Sequence, residues 1–201
     1  MKVLIIYCHP SEDSYTFQVL KQLVGGLKNE GIACEISDLY KMGFKTDLSL
    51  TEFEREGHGN LDLPIPEDVQ IEHGKISSAD CIIFLYPVWW SDCPAKLKGW
   101  FDRVLTVGFA YNHSKIASDQ RMQTKKLGLA ICTAGHPMHF LEKTEIAQSM
   151  KKVMLNDRLG ERFEHKEMIV LDGTTHLNLV KSNHQKLIRS ALNQIKSIQN
   201  S

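Results

Sequence analysis

Three short segments hold residue types whose spacing could do binding chemistry: HPSEDSYT (9–16), PVWWSDCP (87–94) and TAGHPMH (133–139). In the first, Ser11, Ser14 and Thr16 lead into a helical pattern. Hydroxyls together with the open N–H groups of a helix N-terminus make an anion cradle that needs neither glycine nor lysine. Ordinary N-capping accounts for one of these hydroxyls equally well. The segment lacks GxGxxG and GxxxxGK(S/T), so neither the dinucleotide fingerprint nor a nucleoside-triphosphate loop is expected. In the second segment, Trp89 and Trp90 are adjacent and lie between Pro87 and Pro94. Large aromatics are usually core. Neighbours on an extended segment point to opposite faces, however, so one ring belongs at a site mouth unless both faces are packed. A flat apolar wall there suits a planar heteroaromatic ligand. The third segment opens with Thr133, Ala134 and Gly135, small enough for backbone to approach a ligand closely. His136 and His139 follow without a Cys, His or carboxylate at ligand spacing, so they read as loop histidines and no metal site is expected.

These segments need elements to position them. Short apolar runs recur as VLIIY (3–7), ACEIS (33–37), CIIFLYP (81–87), LGLAICT (127–133) and EMIVLDG (167–173). The first, third and fourth are apolar on both alternating faces, as strands covered on both sides of a parallel sheet must be. Helical patterns separate them. Phe17, Leu20, Val24 and Leu27 share one face, with Ser14 or Thr16 as cap and Gly31 as stop. Further helices are expected over Pro94–Leu105, Phe140–Leu159 and from Asn183 onward, the last with Leu187, Ala191, Leu192, Ile195 and Ile198 on its apolar side. This alternation predicts an α/β fold, an open five-stranded parallel sheet with helices on both faces; a site shared by the three loops selects its flavodoxin-like form, order 2-1-3-4-5. Ligands of such sheets bind beyond the carboxyl ends of the strands, where strand order reverses. The three segments follow strands 1, 3 and 4 and would meet there. An anion anchor, a flat wall and a close-backbone loop at that point together describe a site for a flavin mononucleotide moiety.

The 201 residues suit one domain, 1–201. Residues 43–66 are polar, with Gly57, Gly59, Pro64 and Pro66, and read as a loop excursion of the kind that is often functional. Lys+Arg and Asp+Glu balance at 24 each, which removes the electrostatic argument for nucleic acid or an anionic membrane. The opening run VLIIY is too short for a signal core or a membrane span. Cys8, Cys34, Cys81, Cys93 and Cys132 are odd in number and form no CxxC pair. Reduced thiols in a cytoplasmic protein fit this better than a disulfide framework.

The stretch YPVWWSDCPAKLKGWFDRVLTVGFAY (86–111), the start VLIIYCHPSEDSYT and the SDLY at 37–40 resemble the NAD(P)H:quinone oxidoreductase (DT-diaphorase-like) family of the flavodoxin-like superfamily. The resemblance covers about the first two-thirds of the chain. It implies that His9, Ser14, Tyr15 and Thr16 form the flavin-phosphate loop. Pro87, Val88, Trp89 and Trp90 would line the isoalloxazine ring, with backbone groups reaching its polar edge, and Thr133, Ala134 and Gly135 would form the second ring-contacting loop. Trp90, Tyr111 and Phe140 would border the substrate pocket. Phe140 stands where better-known members carry a Tyr, and the helix after it lacks their His, which leaves His136 and His139 as the imidazoles available for proton relay.

The resemblance further implies flavin-dependent, two-electron reduction of quinones or similar small electrophilic acceptors by NAD(P)H, in ping-pong fashion through one site, with FMN and FAD both open. It implies a homodimer whose partner closes the pocket, with the helix after Pro94 at the interface. Trp100 and Phe101 on that helix read equally as interface or as intrachain core. A flavodoxin-type electron carrier and an ancillary subunit of a potassium-efflux system are the alternatives.

Overall fold

The computed structural model describes residues 1–111 and 121–199. Five strands, β1 (Lys2–Tyr7), β2 (Ala33–Asp38), β3 (Cys81–Pro87), β4 (Lys125–Thr133) and β5 (Phe163–Leu171), form one sheet in the order β2-β1-β3-β4-β5. Every pairing is parallel. The period-2 alternation of strand side chains divides the core in two. Val3, Ile5, Ile83, Leu85, Leu129 and Ile131 face α1 (Tyr15–Asn29) and α7 (Leu177–Gln199). Leu4, Ile6, Phe84, Tyr86, Ala130 and Cys132 face the other side. That side is covered by α3 (Glu67–Ser78), α4 (Ala95–Val104) and the chain that follows β4. All seven residues of β3 are buried, as a strand covered on both faces requires.

The helix expected over Phe140–Leu159 is broken. It forms α5 (Met138–Lys143), a step at Glu145 with φ of 59°, α6 (Ile146–Lys151) and a π-helical segment, Lys152–Leu159. The last helix begins six residues before the expected Asn183, at Leu177. Asp172 and Gly173, expected inside the fifth strand, lie in the loop after it.

The polar excursion is also ordered. It contains α2 (Leu50–His58), started by a reciprocal capping box between Ser49 and Glu52 and stopped by left-handed Gly59. Buried Arg103 on α4 fastens it, reaching Glu52 (2.7 Å), Asp68 (2.5 Å) and the Lys45 carbonyl (2.9 Å). Gly99 permits the close approach, since a Cβ there would fall 2.4 Å from the Thr46 carbonyl oxygen. The LKGWFDRV motif therefore builds intrachain packing. Trp100 is 1% exposed and its indole N–H donates to Glu72 Oε2 at 2.8 Å. Phe101 is buried against Phe84, with ring centroids 5.1 Å apart. The interface reading of these two aromatics is thereby corrected: both are committed to the core of their own chain.

Candidate functional site

The loops after β1, β3 and β4 meet at the carboxyl edge of the sheet. Ser14 is the N-cap of α1, its hydroxyl accepting the Phe17 N–H at 3.0 Å. The first intrahelical bond runs from Gln18 N–H to the Ser14 carbonyl, so the Tyr15 and Thr16 N–H groups at the helix start are open among the described residues. The Thr16 side chain is buried and its hydroxyl bonds the Thr133 hydroxyl at 2.8 Å, tying the first loop to the end of β4. Tyr15 turns its ring toward α7, where its hydroxyl meets His184 Nδ1 at 3.0 Å. Of the three hydroxyls expected at the anion cradle, Ser14 is the cap, Ser11 accepts the Asp13 N–H at 3.1 Å and Thr16 is turned to Thr133, so Thr16, like Tyr15 of the phosphate loop, is left to act through backbone. The Tyr7 hydroxyl lies buried close to Ser14 with no well-formed hydrogen bond, and burial pushes its pKa up to about 12.

His9 Nδ1 lies 3.0 Å from the Ser11 N–H and 3.1 Å from the Ser11 carbonyl oxygen, so the Ser11 backbone fixes the ring whichever nitrogen carries the proton. Burial lowers the pKa of His9 and the backbone of Ser11 opposes this, with a net shift below the ordinary histidine value. Its ring lies 6.1 Å from that of Trp89, so the first and second loops touch as well.

The second loop is a tight turn. Trp89 N–H donates to the Asp92 carbonyl at 2.9 Å and Asp92 N–H returns to the Trp89 carbonyl at 3.2 Å. Trp90 and Ser91 between them have φ of 48° and 64°. Two successive positive φ values are ordinarily supplied by glycine or asparagine. Held by other residues they cost about 1–3 kcal/mol each. Trp90 is 100% exposed and Trp89 is partly exposed, so Trp90 is not core. Arg158, buried in the π-helical segment, grips the turn through a two-pronged bond to Asp92, 2.7 and 2.8 Å. Sequence reasoning assigned neither residue a role. Sixty-six positions separate them, and nothing local marks the pair.

The third loop is stitched to the loop after β5. Ala134 N–H donates to the Leu171 carbonyl (2.9 Å), Thr174 and Thr175 hydroxyls donate to the Ala134 and Gly135 carbonyls (3.1 Å each), and Met138 N–H donates to Asp172 Oδ2 (2.6 Å). Val88 N–H is likewise occupied, by the Thr133 carbonyl at 2.8 Å. The expectation that backbone donors span 88–90 and 133–135 therefore narrows. Val88, Trp89 and Ala134 N–H are satisfied within the fold, whereas Trp90 and Gly135 N–H make no hydrogen bond among the described residues. His136 stacks on Phe140 with centroids 4.3 Å apart, and His139 is exposed. Tyr111 and Phe140 are partly exposed, and burial raises the Tyr111 pKa. Among the described residues no group of His, Cys, Asp and Glu could hold a metal ion, and no helix is long and apolar enough to cross a membrane.

A family profile described as flavodoxin-like fold matches residues 1–195. The chain is 33% identical over 147 residues to NAD(P)H dehydrogenase (quinone) 1 of Rattus norvegicus, covering 67% of this chain and 54% of that one. It is 34% identical over 157 residues to an uncharacterized NAD(P)H oxidoreductase of Haemophilus influenzae, covering 78% and 75%. The chain thus spans about half the length of the rat protein and three quarters of the Haemophilus one. Among solved structures, an NAD(P)H:quinone oxidoreductase from Methanothermobacter marburgensis superposes with a TM-score of 0.87 at 41% identity, covering 96% of each chain. An FMN-dependent NADH-azoreductase of Bacillus anthracis, solved with FMN, shares the fold at a TM-score of 0.68 and 19% identity, covering 97% of this chain and 99% of that one.

Proposed function

The chain belongs to the flavodoxin-like fold family, and from that premise we propose that it is a flavin-dependent NAD(P)H oxidoreductase that reduces quinones or similar small electrophilic acceptors. The observation that carries this reading is the Thr16–Thr133 bond. It joins an open helix N-terminus to the β4 loop at the strand-order reversal. The donor set fits a flavin. The open N–H groups of Tyr15 and Thr16, at the positive end of α1, suit a phosphate. The buried Tyr7 hydroxyl, close to Ser14 but without a well-formed bond among the described residues, fits a site completed by a bound polar group. The name of the Methanothermobacter relative supports the same donor and acceptor.

In this reading the α1 N-terminus and Ser14 anchor the phosphate, with His9 in the same loop. Pro87, Val88, Trp89 and Trp90 would line a bound ring system, and Thr133, Ala134 and Gly135 would approach it with backbone. When bound, the flavin supplies the two-electron chemistry between NAD(P)H and acceptor. Trp90 and Gly135 N–H, open among the described residues, would be the donors that stabilise negative charge on a bound ring, as fixed dipoles that need no reorganisation. Trp90, Tyr111 and Phe140 border the opening and exclude water, and the His136 imidazole stacked on Phe140 is placed to exchange a proton with the acceptor. Donor and acceptor use one opening in turn. A homodimer closes that opening. All five cysteines are unpaired, which supports a reducing, cytoplasmic setting.

Initial rates with a simple quinone and NADH or NADPH, each varied at fixed levels of the other, test the reading. Parallel double-reciprocal lines are expected; intersecting lines would mean that both substrates occupy the protein together, and absence of turnover with either donor would overturn the proposal.

A further inference from the structure

The turn that carries Trp90 is strained at two successive residues. Neither Trp90 nor Ser91 prefers positive φ, and the fully exposed Trp90 ring gains no burial from adopting it. The Trp89–Asp92 backbone bonds and the Cys93 N–H on Asp92 Oδ1 (2.7 Å) close the turn locally, and a further group grips it from outside. The holding group is Arg158. Its guanidinium makes two parallel bonds to Asp92 (2.7 and 2.8 Å), the geometry in which Arg and a carboxylate bind most strongly. Arg158 is itself fixed. Nη1 donates to Cys93 Sγ at 3.2 Å, the guanidinium lies 5.4 Å from the Phe101 ring centroid, and its carbonyl accepts Arg162 Nη2 at 2.8 Å. The residue sits in the π-helical segment Lys152–Leu159, and π-helical turns occur frequently at functional sites. Arg158 also borders a cavity of about 310 Å³ that Phe101 and Tyr111 line, so one guanidinium reaches both the Trp90 turn and the neighbourhood of Tyr111.

We propose that Arg158 is a positioning residue: its fork on Asp92 holds the Trp89–Asp92 turn in the left-handed form, so that the Trp90 ring stands at the mouth of the site as the wall against which the acceptor binds. The proposal rests on the oxidoreductase reading above. It adds a named device for acceptor affinity, acting through Trp90 and touching neither flavin nor acceptor. Burial pushes the Asp92 carboxyl pKa up, but the Arg158 bonds and charge and the Cys93 N–H outweigh that and hold it below the ordinary carboxylate value, so the pair is ionised at neutral pH.

The test compares wild type with Arg158→Lys, which keeps the charge and loses the fork, and with Arg158→Met, alone and combined with Ser91→Gly. Glycine accepts a φ of 64° without strain, so Ser91→Gly relieves the conformation that the clamp maintains. Hydrogen exchange at the Trp89 and Asp92 amides reads the turn, and the split between acceptor KM and kcat reads the site. Both Arg158 variants should speed exchange at these amides. Loss of the charged pair should raise acceptor KM about tenfold in Arg158→Met, with donor KM little changed. Adding Ser91→Gly should recover much of that rise, which a general loss of packing would not allow. If Arg158→Met fails to fold, Arg158→Lys decides alone. A folded Arg158→Lys protein with wild-type acceptor KM and wild-type amide exchange would overturn the proposal. Wild-type protein without flavin or turnover would sink the oxidoreductase reading instead, while unchanged exchange at Trp89 and Asp92 in the variants would separately sink the clamp.

Discussion

Thr16 and Thr133 join their hydroxyls at 2.8 Å, both side chains buried, across the junction of α1 and β4. A buried polar pair is costly to split and inexpensive to delete whole. Thr133→Val or Thr16→Val should each lose about 1–3 kcal/mol, because one hydroxyl is left without a partner. The double variant should lose less than the sum of the two, and denaturant titration of all four proteins gives the coupling. Additive losses would mean that the bond contributes nothing between the loops.

Trp90 and Trp100 should respond in opposite ways. Trp90→Ala removes an exposed ring, so the melting temperature of the flavin-free protein should stay close to wild type. Flavin or acceptor binding should weaken about tenfold, from stacking of about 0.5–1.5 kcal/mol. Trp100→Ala should cost about 3–5 kcal/mol in stability, and it strands Glu72 Oε2 without its indole donor.

Arg103 fastens the 43–66 excursion to α4 through Glu52 and the Lys45 carbonyl, and pairs with Asp68 of α3 as well. Arg103→Met leaves a largely buried Glu52 without its cation, so a loss of about 3–5 kcal/mol is expected. Amide exchange should accelerate over Leu50–His58 before it does in β3. Uniform acceleration across the chain would show that α2 does not depend on this anchor.

His73 donates through Nε2 to the Val104 carbonyl at 2.8 Å and stacks on Phe109. Burial lowers its pKa against the opposing pull of the Val104 bond, and burial lowers that of fully buried His184 as well. For groups with depressed folded pKa values, stability is complete above the unfolded value of about 6.5 and falls as pH drops through the folded values. Melts from pH 7.5 to 5 should therefore show stability declining toward acid, with a smaller slope in His73→Gln. A slope unchanged in that variant would remove His73 from the cause.

The strands were legible because covered strands must be apolar on both faces, and VLIIY, CIIFLYP and LGLAICT are so. The open parallel sheet followed from their alternation with helices, and the order β2-β1-β3-β4-β5 from the flavodoxin-type reading of the three loops. What escaped was non-local or locally atypical. WWSD contains none of the glycine or asparagine that announces a turn with two positive φ values, so only the packed chain reveals it. Asp92 and Arg158 meet through tertiary structure alone. The break at Glu145 has no glycine or proline to mark it. The helix in the excursion did leave a signal in Ser49-x-x-Glu52 followed by Gly59, but the surrounding polarity concealed it. LKGWFDRV was a specific pattern, and its aromatics could have served an interface or a core; the burial of Trp100 and Phe101 within one chain decides for core.

The central claim, that these three loops hold a flavin reducible by NAD(P)H, is tested most directly by the absorption spectrum of the purified protein. It is recorded as isolated and after reconstitution with FMN or FAD, then under anaerobic addition of NADH or NADPH, with the released cofactor identified. The expected result is close to one flavin per chain, bleached by the nicotinamide donor without any partner protein. A protein that stays colourless after reconstitution with both flavins, or whose bound flavin neither donor bleaches, would contradict it.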